Sequence, residues 1–449
     1  MPAADPARVA LDWVAPLHSG LRPPPAGATC AVLDWAASGA MALTGPESTV
    51  PVASPAPVLP LLGAAAALLA QATGRTGTAV HADQAELLTG RAGLLGLARR
   101  GRVSAGGSTR LLRSADGWCA ITLSRPDDLA AIPAILGRES DPVAEPWPAL
   151  AAAASAWPAA DLAARAQLAG VPAAALPAAA ACPPAPWQVS RIAPPALGTG
   201  LAGAVVADLS AMWAGPLCGR LLSQAGARVI KVESPSRPDG ARAGDARFFD
   251  WLHAGQQSLS VDFRRQRDTL AALLEMADVV IEASRPRALA ALGLGPGLLR
   301  HRAGQIWLSI TGYGRAQSTY VAFGDDAAVA GGLVGWAGPE PVFCADAIAD
   351  PLAGICAALA VACSAAAGGG HLIDLSMRDV AAAFAAAPAL DHGPHPVNAA
   401  PPSQPDGVVE CPWLGRRQAV APPRVPRPTG PAPALGADNV ALLGWLAGC

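Results

Sequence analysis

The chain has 449 residues, enough for two or three domains with a sizeable core. Its 32 Lys and Arg against 34 Asp and Glu give a formal net charge of −2, which excludes a strongly basic nucleic-acid binder but leaves room for a local phosphate site. The nine cysteines include no Cys-x-x-Cys pair, so their spacing predicts no metal site and no disulfide framework, and favours reduced thiols in the cytoplasm. The N-terminus has neither the basic start nor the apolar run of a signal peptide.

The first half of the chain is divided by its proline, glycine and alanine content. Residues 1–25 are proline-rich and are predicted to be loose. Residues 26–98 are rich in small and apolar side chains, and residues 99–172 are predicted to form a small α+β domain with two strands around an Asp-Gly turn. Residues 173–200 are rich in proline and alanine and are predicted to be a linker.

From residue 201 to residue 390, short apolar strands alternate with single helices. Such alternation predicts an α/β, Rossmann-like fold, a parallel sheet with helices on both faces, beside the smaller α+β domain. No G-x-G-x-x-G follows the first strand, so a dinucleotide site is not supported. Residues 391–430 are predicted to be a second linker and residues 431–449 to carry a C-terminal helix. The predicted strands are 204–209, 228–233, 258–262, 278–282 and 305–311.

Candidate phosphate-binding residues follow three of these strands. Ligands of parallel sheets bind beyond the carboxyl ends of the strands, so side chains at those ends are expected to share one crevice. The cations there can bind phosphate, although solvated arginines and lysines are equally common at such positions. The candidates are Lys231, Arg237, Arg285 and Arg287.

One acid, Asp350, precedes an apolar run of small residues, 355–367, that is too short to span a membrane. An Asp-Pro pair at such a place is most often a helix cap, because the free N–H groups and the dipole at a helix start both favour a carboxylate. A role as nucleophile therefore needs support from elsewhere in the chain.

A series of segments in the second half of the chain, taken together, matches one known pattern. These segments are 206–210, 214–216, 226–233, 258–262, 277–282, 308–314 and 371–377, with Ile348–Asp350 and Gly354 between the last two and residues 432–438 at the end. In this order they resemble the segments of the class III CoA-transferases, the CaiB/BaiF family. Ile348–Asp350 with Gly354 resembles the family's nucleophile stretch, and residues 432–438 resemble its C-terminal signature.

This resemblance implies an acyl-CoA:carboxylate CoA-transferase with Asp350 as the nucleophile that forms an anhydride and then a thioester. It implies that Trp213, Ala214, Gly215 and Asp325 help to bind coenzyme A. The substrates would be an acyl-CoA and a carboxylic acid acceptor, with no permanently bound cofactor, since coenzyme A is part of the substrate. Neither nucleic acid nor a membrane is an expected partner, and the family forms interlocked dimers.

The chain departs from the family pattern in three places. Trp213 stands where formyl-CoA transferases carry a glutamine, and an indole cannot replace the amide's acceptor and paired donors. His253–Gln257 stands where the family has a basic loop, so cations are missing there. The small domain, 99–172, precedes the nucleophile domain instead of following it.

An internal repeat relates the beginning of the chain to the stretch around Asp350. Placing Asp83 on Asp374 pairs Pro60-Leu61 with Pro351-Leu352 and Gly63 with Gly354. We therefore predict that residues 26–98 are a degenerate partial copy of the CoA-transferase domain, in a homodimer or a pseudo-dimer within one chain. Leu59 falls opposite Asp350, so this copy lacks the carboxylate.

Two alternatives to the transferase remain open. One is a 2-methylacyl-CoA racemase, in which the family places a histidine in a Gly-His-Asp motif; here the stretch is Gly324-Asp325-Asp326, so Asp325 would replace the imidazole. The other is a non-catalytic acyl-CoA binder. His392 and His395 lie in a Pro-Gly turn with no third ligand nearby in sequence, and are expected to be surface residues and not metal ligands.

Overall fold

The computed structural model of the protein describes residues 5–17, 20–24, 30–138, 143–179, 185–196, 198, 200–390, 393–398 and 406–448. Its helices are α1 (Pro6–Val14), α2 (Ala31–Ala37), α3 (Val58–Thr76), α4 (Gln84–Leu95), α5 (Pro126–Ala130), α6 (Ile132–Leu136), α7 (Pro146–Ala156), α8 (Ala159–Leu168), α9 (Ala214–Gln224), α10 (Ala246–His253), α11 (Arg267–Met276), α12 (Pro286–Ala290), α13 (Gly324–Ala330), α14 (Ala349–Ala366), α15 (Met377–Ala385) and α16 (Asn439–Ala447). Its strands are β1 (Thr109–Arg113), β2 (Trp118–Thr122), β3 (Ala173–Ala175), β4 (Trp187–Arg191), β5 (Val205–Asp208), β6 (Arg228–Glu233), β7 (Gln257–Ser260), β8 (Val279–Glu282), β9 (Ile306–Thr311), β10 (Gly335–Ala337), β11 (Glu340–Val342), β12 (His371–Ser376), β13 (Val397–Asn398), β14 (Val408–Cys411) and β15 (Arg416–Ala419).

The largest sheet has the strand order β4-β12-β9-β8-β5-β6-β7. All of its pairs are parallel except that of the edge strand β4, which runs antiparallel to β12. Strands such as β8, in which every residue is buried, are continuous apolar runs because helices cover both faces of the sheet. The predicted α/β fold is confirmed, and the five predicted strands correspond to β5 to β9.

The described part of residues 173–200 contains two strands, contrary to the predicted linker. β3 (Ala173–Ala175) pairs with β2 in the small domain's sheet, and β4 (Trp187–Arg191) is the edge strand of the large sheet. Trp187 is buried, with its ring 6.3 Å from that of Trp13. Alanine and proline content alone suggested a linker, whereas an open sheet edge supplies hydrogen-bond partners that composition does not reveal.

The other two segments predicted to be irregular also contain regular structure. Within residues 1–25, α1 carries the buried side chains Ala10, Trp13 and Val14, and it packs against α3. Within residues 391–430, β13, β14 and β15 form a small antiparallel sheet that packs on α2. In both cases the segment is ordered by tertiary contacts with parts of the chain that are remote in sequence.

At the centre of the fold, α14 packs between α3 and α9. Nearly all of its side chains are buried, and Gly354 permits the close approach of α9, because a Cβ there would lie 2.8 Å from Leu217 and 2.9 Å from the Ala214 carbonyl oxygen. By length and composition alone α3 and α14 are each able to cross a membrane, but most of each helix is buried inside this fold. α14 is thus a core helix, and its first turn carries Asp350.

The order of helices bears on the predicted repeat. Offset by 291 residues, α3 coincides with α14 and α4 with α15, whereas residues 78–83 form no strand to match β12. The helical counterparts support the duplication, which stays a prediction.

Candidate active site

Asp350 is the second residue of α14, and the N-cap position is held by Ile348. Its carboxylate accepts a hydrogen bond from the backbone N–H of Gly324, the first residue of α13. Glycine is needed there, because a Cβ would overlap Asp350 Oδ2. Asp350 therefore does not occupy the N-cap position, which is the alternative role of an Asp-Pro pair. Its carboxylate instead contacts the start of a second helix.

Two further acids and one arginine surround this carboxylate. Arg91 of α4 forms an ion pair with Asp346, with Nη1 2.6 Å from Oδ1, and it also exerts a favourable charge interaction on Asp350 and Asp325. Asp325 Oδ1 accepts a hydrogen bond of 3.0 Å from the Ala347 N–H. The structure thus brings together Asp350 and Asp325, which were both candidates, with two residues that the sequence analysis did not select.

Burial controls the protonation of the two candidate acids. It raises the pKa of Asp350 to about 7 and that of Asp325 to about 6; repulsion among the acids adds to this effect, and Arg91 opposes it. The N-terminus of α14 favours a negative charge by about 0.3–1 kcal/mol. That is less than the 1.36 kcal/mol that corresponds to one pKa unit, so burial outweighs the helix dipole. A carboxyl group that titrates near neutral pH fits a reactive group.

The backbone around the cluster is strained. Met212, Ala345 and Ala347 are the non-glycine residues with left-handed φ among the residues that the structure describes, at 72°, 54° and 43°. Ala345 and Ala347 flank Asp346, and Met212 immediately precedes Trp213. Such conformations cost about 1–3 kcal/mol each and gather at functional sites. Their grouping here supports a functional role for this region.

Trp213 adjoins the cluster through Arg91. The indole is buried, with the Arg91 guanidinium carbon 5.6 Å from the ring centroid and the Phe248 ring edge-on at 5.5 Å. Its Nε1 has no hydrogen-bond partner within the described part of the chain. Trp213 and Phe248 thus hold Arg91 in place. Ala214 and Gly215 follow in the first turn of α9, with Gly215 packed against Ser210.

Lys231 does not fit the predicted phosphate-binding role. Its side chain is fully buried, its Nζ lies 2.9 Å from Asp239 Oδ2, and it donates to the Ser210 carbonyl oxygen. Asp239 also accepts a hydrogen bond of 3.0 Å from the Met212 N–H. The lysine therefore supports the strained turn before Trp213 and is not available to a ligand.

The remaining predicted cations form an exposed patch. Arg237, Arg285 and Arg287 are exposed at the strand ends, where they are accessible to a phosphate group. Burial lowers the pKa of Arg285, and so does repulsion from Arg287, Arg237 and Arg125. Arg125 belongs to the small domain, where it pairs with Asp128 at 2.5 Å, and the sequence analysis did not select it. We call these four arginines the arginine patch.

Two other features carry no ligand assignment. His253 is buried, its Nδ1 lies 2.9 Å from Gln256 Oε1, and burial, together with repulsion from Lys231, lowers its pKa to about 3. The stretch 253–257 therefore provides no cation, as the sequence indicates.

A cleft of about 670 Å³ is lined by N-terminal residues that include Asp34, Leu59 and Asp83. Among the described residues, none that lines this cleft belongs to the Asp350 cluster.

Asp326, next to Asp325, gives a first testable prediction. Burial raises its pKa to about 8; Oδ1 accepts hydrogen bonds of 2.9 Å from Thr122 and from the Phe323 N–H, and Oδ2 has no hydrogen-bond partner among the described residues. A raised pKa favours the protonated folded state, so its contribution to stability falls as pH rises towards and through about 8. Asp326→Asn should therefore stabilise the protein by on the order of 2 kcal/mol or more at pH 9 and have little effect at pH 4, near the ordinary pKa of an aspartate, as measured by denaturant unfolding.

The exposed Asp268, with a side chain 95% accessible, provides the control. Asp268→Asn should leave the pH dependence unchanged. A loss of stability in Asp326→Asn that is equal at both pH values would contradict the assignment of a buried neutral acid.

Comparisons with known proteins find relatives of the second half of the chain. Residues 201–412 match the model of CoA-transferase family III. The succinate–glutarate CoA-transferase of Agrobacterium fabrum is 32% identical over 212 residues, which cover 41% of this chain and 53% of that protein. A probable fatty acyl-CoA transferase of Mycobacterium tuberculosis is 37% identical over 125 residues, which cover 25% of this chain and 32% of the relative. The human alpha-methylacyl-CoA racemase is 34% identical over 122 residues, which cover 26% and 30% of the two chains.

The chain thus spans between about a third and about half of the length of these relatives. Among solved structures, a CAIB/BAIF family protein from Brucella suis is 29% identical, with a TM-score of 0.38, over 42% of this chain and 56% of that one. The family match includes Asp350, Asp325 and three members of the arginine patch, whereas Arg91 and Arg125 lie outside it. Residues 201–412 therefore resemble CoA-transferase family III, the family that the sequence analysis indicated for this part of the chain.

Proposed function

We propose that the protein is an acyl-CoA:carboxylate CoA-transferase in which Asp350 is the nucleophile. The observation that carries the proposal is the environment of this carboxylate. It lies at the start of a core helix, in contact with the Gly324 N–H and near the charge of Arg91, and its pKa is raised to about 7. The family's named CoA-transferases support the same reaction class.

The reaction proceeds through anhydride and thioester intermediates on the Asp350 side chain. The Asp350 carboxylate attacks the thioester carbonyl, the C–S bond breaks, and an anhydride and CoA thiolate form. The thiolate attacks the aspartyl carbonyl, which releases the first acid and leaves an aspartyl-CoA thioester. The acceptor carboxylate then displaces the thiolate from Asp350 to form a second anhydride, and the thiolate's attack on its acyl carbonyl yields the new acyl-CoA and restores Asp350.

The chain's own groups support these steps. A carbonyl oxygen of the aspartyl intermediate can keep the hydrogen bond from the Gly324 N–H, which stabilises the oxyanion formed in each attack. Arg91 lowers the pKa of Asp350 and so increases the fraction of reactive carboxylate. No permanently bound cofactor is needed, because coenzyme A arrives and leaves as part of the substrates.

The arginine patch is the candidate site for the phosphates of coenzyme A. Arg285→Ala should weaken binding of coenzyme A by about 3- to 10-fold, with a smaller loss at high salt, because an exposed cation contributes a modest and screened charge interaction. Isothermal titration with coenzyme A at two ionic strengths measures this. The exposed Arg264, outside the patch, provides the control variant Arg264→Ala. Equal affinities for both variants and the unmodified protein would remove the patch from the binding site.

The activity itself is tested with a panel. Succinyl-CoA and other acyl-CoA donors are mixed with mono- and dicarboxylic acids, and new CoA esters are measured by liquid chromatography and mass spectrometry. The intact protein is examined for a covalent CoA adduct that hydroxylamine removes from Asp350. Transfer with an adduct on Asp350 is the expected result, whereas binding of acyl-CoA without any turnover would overturn the proposal in favour of a non-catalytic binder.

The second candidate is a 2-methylacyl-CoA racemase, favoured by Asp325. That acid, with a pKa of about 6, interacts electrostatically with Asp350, so the site holds two carboxyl groups able to exchange protons near neutral pH. A racemase is also among the named relatives. Exchange of the α-hydrogen of a 2-methylacyl-CoA in deuterated water, without any acceptor acid, would favour this reaction over transfer.

The N-terminal segment takes the place of a second subunit in this proposal. Arg91 comes from α4, within the predicted degenerate copy, and it reaches the acids of α13 and α14. One chain then supplies both halves of the site and acts in the cytoplasm as a pseudo-dimer. Light scattering tests whether a homodimer forms in addition.

A further inference from the structure

Two cysteines and one histidine meet beside α2, two of them in or next to the small C-terminal sheet and one from the remote N-terminal segment. The Sγ atoms of Cys30 and Cys411 and a ring nitrogen of His395 lie within 4.8 Å of one another, and Cys30 Sγ is 3.0 Å from His395 Nε2. Both cysteines are buried and the histidine is half-buried. His395, expected to be a surface residue, is thus half-buried beside two thiols that are not its neighbours in sequence, while His392 lies outside the described residues.

Strand pairing explains how two of these side chains come together. β13 and β14 are antiparallel, with Val397 opposite Val409, and the Glu410 N–H donates to the Pro396 carbonyl oxygen at 3.0 Å. Continuing this register places His395 opposite Cys411. Directly opposed residues of an antiparallel pair present their side chains on the same face, about 4.5–5.5 Å apart at Cβ.

The third side chain comes from the other end of the chain. Cys30 is the N-cap residue of α2 and lies 365 residues before His395. The small sheet of β13, β14 and β15 packs on this helix, which brings the thiol of Cys30 to the other two groups.

We propose that Cys30, His395 and Cys411 bind a zinc ion. Thiolate and imidazole are the ligands that zinc prefers in structural sites. The close mutual approach of three such atoms fits a tetrahedral zinc ion whose fourth ligand comes from outside these three residues. Binding releases one proton from each thiol, and two thiolates neutralise the double positive charge of the ion. A neutral complex is compatible with burial, where an unpaired charge is costly.

The ion would join the N-terminal segment to the C-terminal sheet. Closing a loop of 365 residues between Cys30 and His395 restricts the unfolded chain strongly. The role assigned to zinc is thus structural: it fixes α2 against β14. None of its ligands belongs to the Asp350 cluster, so the inference does not depend on the proposed reaction.

The test begins with the full chain, purified without a metal-affinity tag. We expect about one zinc per chain by elemental mass spectrometry, and a thiolate-to-cobalt charge-transfer absorption after exchange with cobalt. A zinc chelator should lower the melting temperature of the unmodified protein. Cys30→Ser, Cys411→Ser and His395→Ala should each reduce the bound zinc by at least about tenfold, in line with loss of a direct ligand.

Cys119 of the small domain provides the matched control, because it is a buried thiol outside this cluster. Cys119→Ser should retain zinc. The cobalt spectrum of the unmodified protein keeps the test valid even if a ligand variant fails to fold. The proposal would be overturned if the protein took up no zinc and gave no cobalt absorption. It would also be overturned if Cys30 and Cys411 formed a disulfide in protein that was purified under reducing conditions and supplied with zinc.

Discussion

Replacing Asp350 with asparagine should reduce CoA transfer by about 10³-fold or more while acyl-CoA binding persists. The amide keeps the size of the side chain and an oxygen for the Gly324 N–H, but it is too weak a nucleophile to form the anhydride. Initial rates with the best donor and acceptor of the panel measure the loss, and titration with the acyl-CoA measures the binding.

The same variant, Asp350→Asn, should keep or gain folding stability although it loses activity. Because burial raises the pKa of Asp350 to about 7, its contribution to folding stability falls as pH rises towards and through 7. Asp350→Asn removes that charge, so its melting temperature should equal or exceed that of the unmodified protein at pH 8. A capping role would give the reverse pattern, with near-normal activity for Asp350→Asn.

A comparison variant separates loss of the nucleophile from loss of the fold. Asp268→Asn changes an exposed acid and should retain full activity. If Asp350→Asn were fully active, the transferase mechanism through this residue would be wrong, and Asp325 and Asp326 would be the next carboxylates to test.

The sequence was sufficient to predict the parallel sheet, and it selected Asp350 as the candidate nucleophile. Strands β5 to β9 are apolar runs separated by single helices, and this pattern has few other solutions. Asp350 was recognisable because its neighbours in sequence match a family pattern. By contrast, β4 is held by pairing with β12, and no local signal in a proline- and alanine-rich stretch indicates that partner.

The sequence analysis missed several candidate site residues for one physical reason. Arg91 and Asp346 are 255 residues apart, Arg125 belongs to a different domain from Arg285, and Cys30 is 365 residues from His395. Spacing rules detect ligands on one element, whereas these sets form only when remote elements pack together. The prediction that Lys231 binds phosphate was wrong for a related reason. Its partner, Asp239, lies on a turn whose path the sequence does not reveal.

Arg91 gives the second prediction with a large expected effect. Its guanidinium is held by Trp213 and Phe248 and pairs with the buried Asp346. Arg91→Met keeps much of the apolar volume but removes the positive charge, which leaves Asp346 without its cation. Removing one partner of a buried ion pair costs about 3–5 kcal/mol, so denaturant unfolding at pH 8 should show a loss of that order.

The loss should shrink as pH falls. Without Arg91, the pKa values of Asp346, Asp325 and Asp350 rise further, so protonation at pH 5 removes the charges that the cation had stabilised. Arg91→Met combined with Asp346→Asn should recover much of the stability, because the second change removes the unpaired charge. Arg91→Lys, which keeps the charge without the planar fork, provides the intermediate case.

The same variant should displace the pH profile of the reaction. Because the nucleophile must be a carboxylate, kcat/KM is expected to rise with pH through about 7 in the unmodified enzyme. In Arg91→Met this rise should move to higher pH by about one unit, since the cation that favours ionised Asp350 is gone. Arg91→Lys should restore most of the original profile. If the profile stayed in place while only stability fell, Arg91 would be a packing residue, and the N-terminal segment would contribute nothing to the chemistry of Asp350.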